Sequence, residues 1–140
     1  MIKSSSFTHN YPLIRQIESR EYRLEEDFLY CHRLSTTILI KEGFWFDGAS
    51  IPVFAWSLVG SPFTGKYTVA ALLHDGIFGA ELFPRKQCDI IFKEAMEDWQ
   101  TPWIQRTIMY HAVDKFSWQM WNRHTKESID KHRTYVKLLL

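Results

Sequence analysis

The sequence predicts an α+β fold: a small N-terminal antiparallel sheet of two or three strands packed on about three C-terminal helices. Three observations carry this. Residues 22–46 are rich in aromatic and β-branched side chains, residues 66–122 change to helical spacing of apolar positions, and turn formers separate the two halves. At 140 residues, with 46% hydrophobic and 24% charged residues, the chain has the size and composition of one globular domain over 1–140, with residues 1–6 as a polar arm. Aromatics reach 16%, and each buried Trp or Phe removes roughly 150–250 Å² from water. They supply either core or an exposed contact patch.

The strand assignment rests on residues 22–33, broken by Glu25-Glu26-Asp27, and on residues 36–46, where Ile38 and Ile40 alternate with Thr37, Leu39 and Lys41. Gly43 suggests a bulge. Gly48 and Pro52 then bracket a turn, and Gly60-Ser61-Pro62 with Gly65 makes a second loop. Val69, Ala70, Leu72, Leu73 and Ile77 place a helix over 66–78, ended by Gly79. Pro84 suits a first helical turn, and Cys88, Ile91, Phe92, Ala95 and Trp99 continue a second helix over 85–99. Thr101 is the expected N-cap of a third helix running toward Asn122, with Met109, Ala112, Val113, Phe116 and Met120 on its apolar face. The tail 135–140 ends in three leucines and is expected to dock on the core or to mediate an oligomer.

Composition also excludes classes. Net charge is +1 with no basic stripe, which disfavours nucleic acid. Cys31 and Cys88 form neither a disulfide framework nor a zinc knuckle, and read as small core residues. No segment has the length of a membrane span, and the N-terminus carries no secretion signal. The phosphate loop and the nucleophile elbow are both missing.

Three groups of residues could carry chemistry. Asp47-Gly48-Ala49-Ser50-Ile51-Pro52 follows a strand. Its Asp and Ser either hold their own corner or point into a cleft. His74-Asp75 lies in the apolar helix, where adjacent residues stand about 100° apart, so at most one is expected to face the core squarely. A histidine there is either a satisfied core residue or a ligand and general base. Arg85 and Asp89 are one helical turn apart; Asp89 could face His74 across the helix pair while Arg85 neutralises a carboxylate or binds an anion. Tyr110 and His111 on the third helix are further binding candidates. The enzymatic reading is a small metal-dependent hydrolase: His74, Asp75 and Asp47 are the candidate catalytic residues, and His74, Asp75 and Asp89 would hold a divalent metal such as zinc. Arg85, Ser50, Tyr110 and His111 would bind substrate. The competing reading makes the same polar residues an architectural lock.

The order Gly43-Phe44-x-Phe46-Asp47-Gly48-Ala49-Ser50-Ile51-Pro52, then His74-Asp75, Arg85-x-x-x-Asp89 with Phe92, and Met109-Tyr110 with Val113 resembles the phage and prophage family catalogued as domain of unknown function 1353. The resemblance spans 43–121. It implies a tailed-phage or prophage origin, residence in the host cytoplasm or the virion, and a phage structural protein or a host protein as partner. It supplies no activity. Within it the leading reading is a non-catalytic virion-associated or host-interacting protein, and the alternative is the metal-dependent hydrolase. The family tends to carry His-Asp-Tyr-Leu-Tyr, whereas Gly76, Ile77 and Phe78 follow here, so two phenol hydroxyls are absent.

Overall fold

The computed structural model describes residues 6–7, 12–18, 21–31, 36–48, 50–52, 54–55, 57 and 66–139. The fold is α+β, with more of both elements than expected. Among the described residues seven strands form two antiparallel sheets. One sheet has the order β1 (Ser6–Phe7), β4 (Phe28–Cys31), β5 (Thr37–Ile40), β7 (Val136–Leu139); the other runs β2 (Ile14–Glu18), β3 (Glu21–Leu24), β6 (Trp45–Phe46). Four helices are described: α1 (Lys66–Gly79), α2 (Arg85–Asp98), α3 (Trp103–Trp121) and α4 (Lys126–Tyr135). The loop expected over 60–65 and most of the expected arm fall outside the described residues, although Ser6 belongs to β1.

In the first sheet the two-residue period behaves as its residues dictate. Ile38 and Ile40 are buried while Thr37 and Leu39 are half-buried, and Phe28 and Tyr30 do the same on β4, paired with Ile40 and Ile38. The C-terminal tail docks on this sheet: Val136 faces Ile40 and Leu138 faces Ile38 across β5. Gly43 is not a bulge. It sits in the turn between β5 and β6 with φ +97°.

Helix α1 is buried on every side from Tyr67 to Gly79, because sheet, α2 and α4 all pack on it. Gly76 is what lets it lie on the sheet. A Cβ there would stand 3.2 Å from Ile40 Cδ1 and 3.3 Å from Val136 Cγ2. Any larger residue at this position would have to displace those side chains. The helix runs one residue past the expected stop: Gly79 is its last residue, and Glu81 takes the left-handed position at φ +49°. Leu82 N–H donates to Ile77 O and Glu81 N–H to Phe78 O, the two bonds of a Schellman cap. Arg133 from α4 adds a 2.8 Å bond from its Nε to Ala80 O.

Thr101 does not cap α3. Its N–H closes the same kind of cap at the end of α2, donating to Met96 O, so the chain starts α3 only after Pro102. Helix α4 is absent from the sequence reading because none of its residues is buried, leaving no apolar stripe to read. It is fixed locally instead, by a reciprocal capping box between Thr125 and Ser128. Across the layers, Tyr30 Oη donates to Asp98 Oδ2 at 2.6 Å, fastening the sheet to α2.

Candidate functional site

The turn after β6 and the centre of α1 meet through one carboxylate. Gly48, at φ +73°, takes a conformation that glycine adopts without a Cβ penalty. Its N–H then donates to Asp75 Oδ2 at 2.7 Å, and the Ser50 N–H donates to Asp75 Oδ1 at 3.3 Å. The Ser50 hydroxyl bonds the same Oδ1 and also lies 2.8 Å from His74 Nδ1. On the far side of the ring, His74 Nε2 is 2.7 Å from Asp89 Oδ1. Asp89 Oδ2 accepts from Ser117 Oγ at 2.8 Å, and Arg85 Nη1 donates to that hydroxyl at 3.1 Å and lies 3.6 Å from Asp89 itself. A continuous polar relay therefore runs Asp75–Ser50–His74–Asp89–Ser117–Arg85.

His74 and Asp89 are 0% exposed, and Phe78 and Phe92 pack on the imidazole at ring distances of 4.9 and 5.1 Å. Because an ionised carboxylate only accepts, the bond to Asp89 places a proton on His74 Nε2. The rest of the relay has two arrangements with the same number of protons. Either imidazolium donates to Ser50 and Ser50 donates to an ionised Asp75, or a protonated Asp75 donates to Ser50 and Ser50 to neutral His74. Burial pushes the Asp75 carboxyl above the ordinary carboxylate range, the Ser50 hydrogen bond opposes this, and the nearby Asp47 charge adds to it.

Asp75 and Ser50, 7% and 6% exposed, form the floor of a cavity of about 500 Å³. One wall comes from Glu21, Trp45 and Asp47; the other comes from the α3–α4 junction, with Arg123, His124 and His132. Glu81 holds His124 in place, its carboxylate 2.8 Å from the ring Nδ1. Gly79 makes room between the walls, since a Cβ there would lie 2.2 Å from His132 Cδ2.

Four of the residues singled out in sequence, Ser50, His74, Asp75 and Asp89, are joined by direct hydrogen bonds, with Arg85 at the end of the relay. Asp47 lines the cavity instead. Tyr110 and His111 stand apart from the cavity lining: Tyr110 is half-buried beneath Lys93 Nζ at 5.2 Å, and His111 is exposed. The expectation that only one of His74 and Asp75 would face the interior fails because α1 is enclosed on all sides.

The expected divalent metal, zinc or another, is also corrected. Among the described residues no group of three or more His, Cys, Asp and Glu side chains is arranged to hold an ion. Both nitrogens of His74 are engaged by Ser50 and Asp89, and the oxygens of Asp75 turn to backbone N–H groups. Sequence reasoning missed Glu21, Trp45, Arg123, His124 and His132. The only local sign of the second wall was the Thr125-x-x-Ser128 spacing of the α4 cap.

All of the relay except Ser117 falls within 22–113, the segment matched by the family model described as "Protein of unknown function (DUF1353)". The chain belongs to this family. The DUF1353 segment thus contains β3 from Tyr22, β4 to β6, α1, α2 and the first part of α3, whereas Glu21 and the α3–α4 wall of the cavity lie outside it. The chain is also similar to the uncharacterized protein y4jT of Sinorhizobium fredii (strain NBRC 101917 / NGR234), 37% identical over 54 residues. That stretch covers 39% of this chain and 16% of y4jT, so the chain spans only a small part of that relative's length. No solved structure matches the chain.

Proposed function

We propose that this chain is a non-catalytic phage or prophage protein, carried in the virion or acting on a host protein, that uses the cavity for recognition and the relay as its rigid floor. The observation that carries this is the saturation of the Ser50 turn. A serine nucleophile needs a base and a set of N–H groups aimed at the developing oxyanion. Here Asp75 takes the N–H groups of Gly48 and Ser50 and also bonds the Ser50 hydroxyl. His74 bonds the same hydroxyl and is itself held by Asp89, but the donors an oxyanion would need are already taken by Asp75.

The phage setting comes from the family resemblance. The reading of 1–140 as one domain is supported by β1 and β7, from opposite ends of the chain, lying in the same sheet. Among the described residues no helix is long and apolar enough to cross a membrane.

Two measurements test the reading. Intact-mass analysis after treatment with a fluorophosphonate should return the unmodified protein. An adduct that disappears in Ser50→Ala would overturn the non-catalytic assignment. A strictly monomeric protein, absent from purified particles and retaining no host protein, would count against the virion or host role.

A further inference from the structure

Helix α3 buries Met109, Ala112, Val113 and Ser117 and carries an apolar seam on its opposite side. Ile104, Ile108, His111, Lys115 and Trp118 follow one another at intervals of four, three, four and three residues. That is the spacing of a coiled-coil seam, and all five lie within about 60° of His111 around the helix. Ile104, Ile108 and Trp118 are 62%, 37% and 49% exposed, with His111 and Lys115 exposed between them, so the seam has surface left to bury. Trp103, 67% exposed, flanks its first turn. The neighbours of α3 sit to the sides: Lys86 and Lys93 of α2 reach Asp114 and Tyr110 on one flank, and Phe54 meets Phe116 on the other.

The seam is complementary to itself. Turned antiparallel about His111, a second copy brings its Trp118 beside Ile104 and the methylene stem of its Lys115 along Ile108, and symmetry repeats both contacts at the other end. The Lys115 ammonium lies 6.0 Å from the Phe116 ring centroid, toward the flank, which leaves that stem to the seam. A parallel pairing would instead set Lys115 on Lys115, like charge against like. A surface shaped for an unrelated protein has no reason to match itself in this way. We propose that this chain forms an antiparallel homodimer through the outer face of α3, with its two-fold axis at His111. From Ile104 to Trp118 the seam runs for about 21 Å, or two heptads. Such a contact falls below the roughly 1,200 Å² of a standard interface, so the dimer dissociates on dilution.

Sedimentation equilibrium across a range of concentrations should show monomers and dimers only. Ile104→Ala should weaken dimerisation by about tenfold or more, since symmetry trims two isoleucines per dimer, and His111→Leu should strengthen it. Leu13→Ala, exposed and outside α3, should change nothing. Oxidative cross-linking reads the register in a Cys31→Ser background, where the remaining cysteine, Cys88, is buried. His111→Cys should link to itself across the axis, and Ile104→Cys should link only when mixed with Trp118→Cys. A strictly monomeric chain, a dimer indifferent to Ile104→Ala, or an Ile104→Cys chain that links to itself would overturn the proposal. The seam shares no residue with the cavity lining or the relay, so these outcomes leave the non-catalytic reading to the fluorophosphonate experiment.

Discussion

His74 and Asp75 are neighbours on α1, yet they belong to two regions with different physics. His74 looks toward α2 and α3, into a dry space where Asp89, Ser117 and Arg85 complete its hydrogen bonds. Asp75 looks toward the β6 turn and closes the bottom of the cavity. In the sealed region any unpaired polar atom is costly, so its residues are mutually dependent. In the open region water can replace a lost partner, so residues there depend less on one another. One serine, Ser50, joins the two.

The sharpest way to break this contrast is to remove a partner from the sealed side. Asp89→Ala leaves His74 and Ser117 without their acceptor and is expected to lower unfolding free energy by about 3–5 kcal/mol in urea titrations. A loss no larger than that of an exposed substitution would show that the sealed region is not a lock. Ser50→Ala, at the junction, cuts the relay but leaves Asp75 its two backbone N–H donors, so about 1–2 kcal/mol is expected.

The pH dependence of stability sharpens the comparison on the open side. Burial raises the titration of Asp75 in the folded protein above that of the unfolded chain. In the window between the two the native state binds more protons. This group therefore favours folding at pH below the ordinary carboxylate range, and its contribution is lost as pH rises through the raised value. Asp75→Asn should remove that falling component from stability measured against pH, even though it also loses one backbone acceptor. The smallest expected effect is chemical. Cys88, beside Asp89, is fully enclosed, and burial with the adjacent carboxylate pushes its thiol up to about 12. Alkylation of the native protein with iodoacetamide should therefore label half-buried Cys31 and spare Cys88. Labelling of Cys88 at a comparable rate would mean that the sealed region opens.

Much of the framework was legible in local pattern. The alternation of Ile38 and Ile40, the helical spacing over 66–78 and 85–99, and the start of α3 near Pro102 each follow from a period and a boundary residue, and the structure has elements there. The sealed half of the site was legible for a related reason: polar residues set in apolar runs, such as His74 among Leu72, Leu73 and Ile77, must find partners once buried. Other features leave little trace in local sequence. Helix α4 has no fully buried residue and so no apolar stripe to read, and β2 and β7 are edge strands whose pairing is set by distant residues.

The residue order thus fixed an α+β chain with a Phe46–Pro52 corner and a His74-Asp75 pair that needed partners, because periodicity and burial cost act over a few residues. Three-dimensional packing decided the rest. It enclosed α1, so that both His74 and Asp75 are interior, turned Asp75 onto the backbone of Gly48 and Ser50, and brought His124 and His132 to line the same cavity as Trp45. The Asp75 bonds span 25 and 27 positions of chain and arise only when the β6 turn and α1 are stacked.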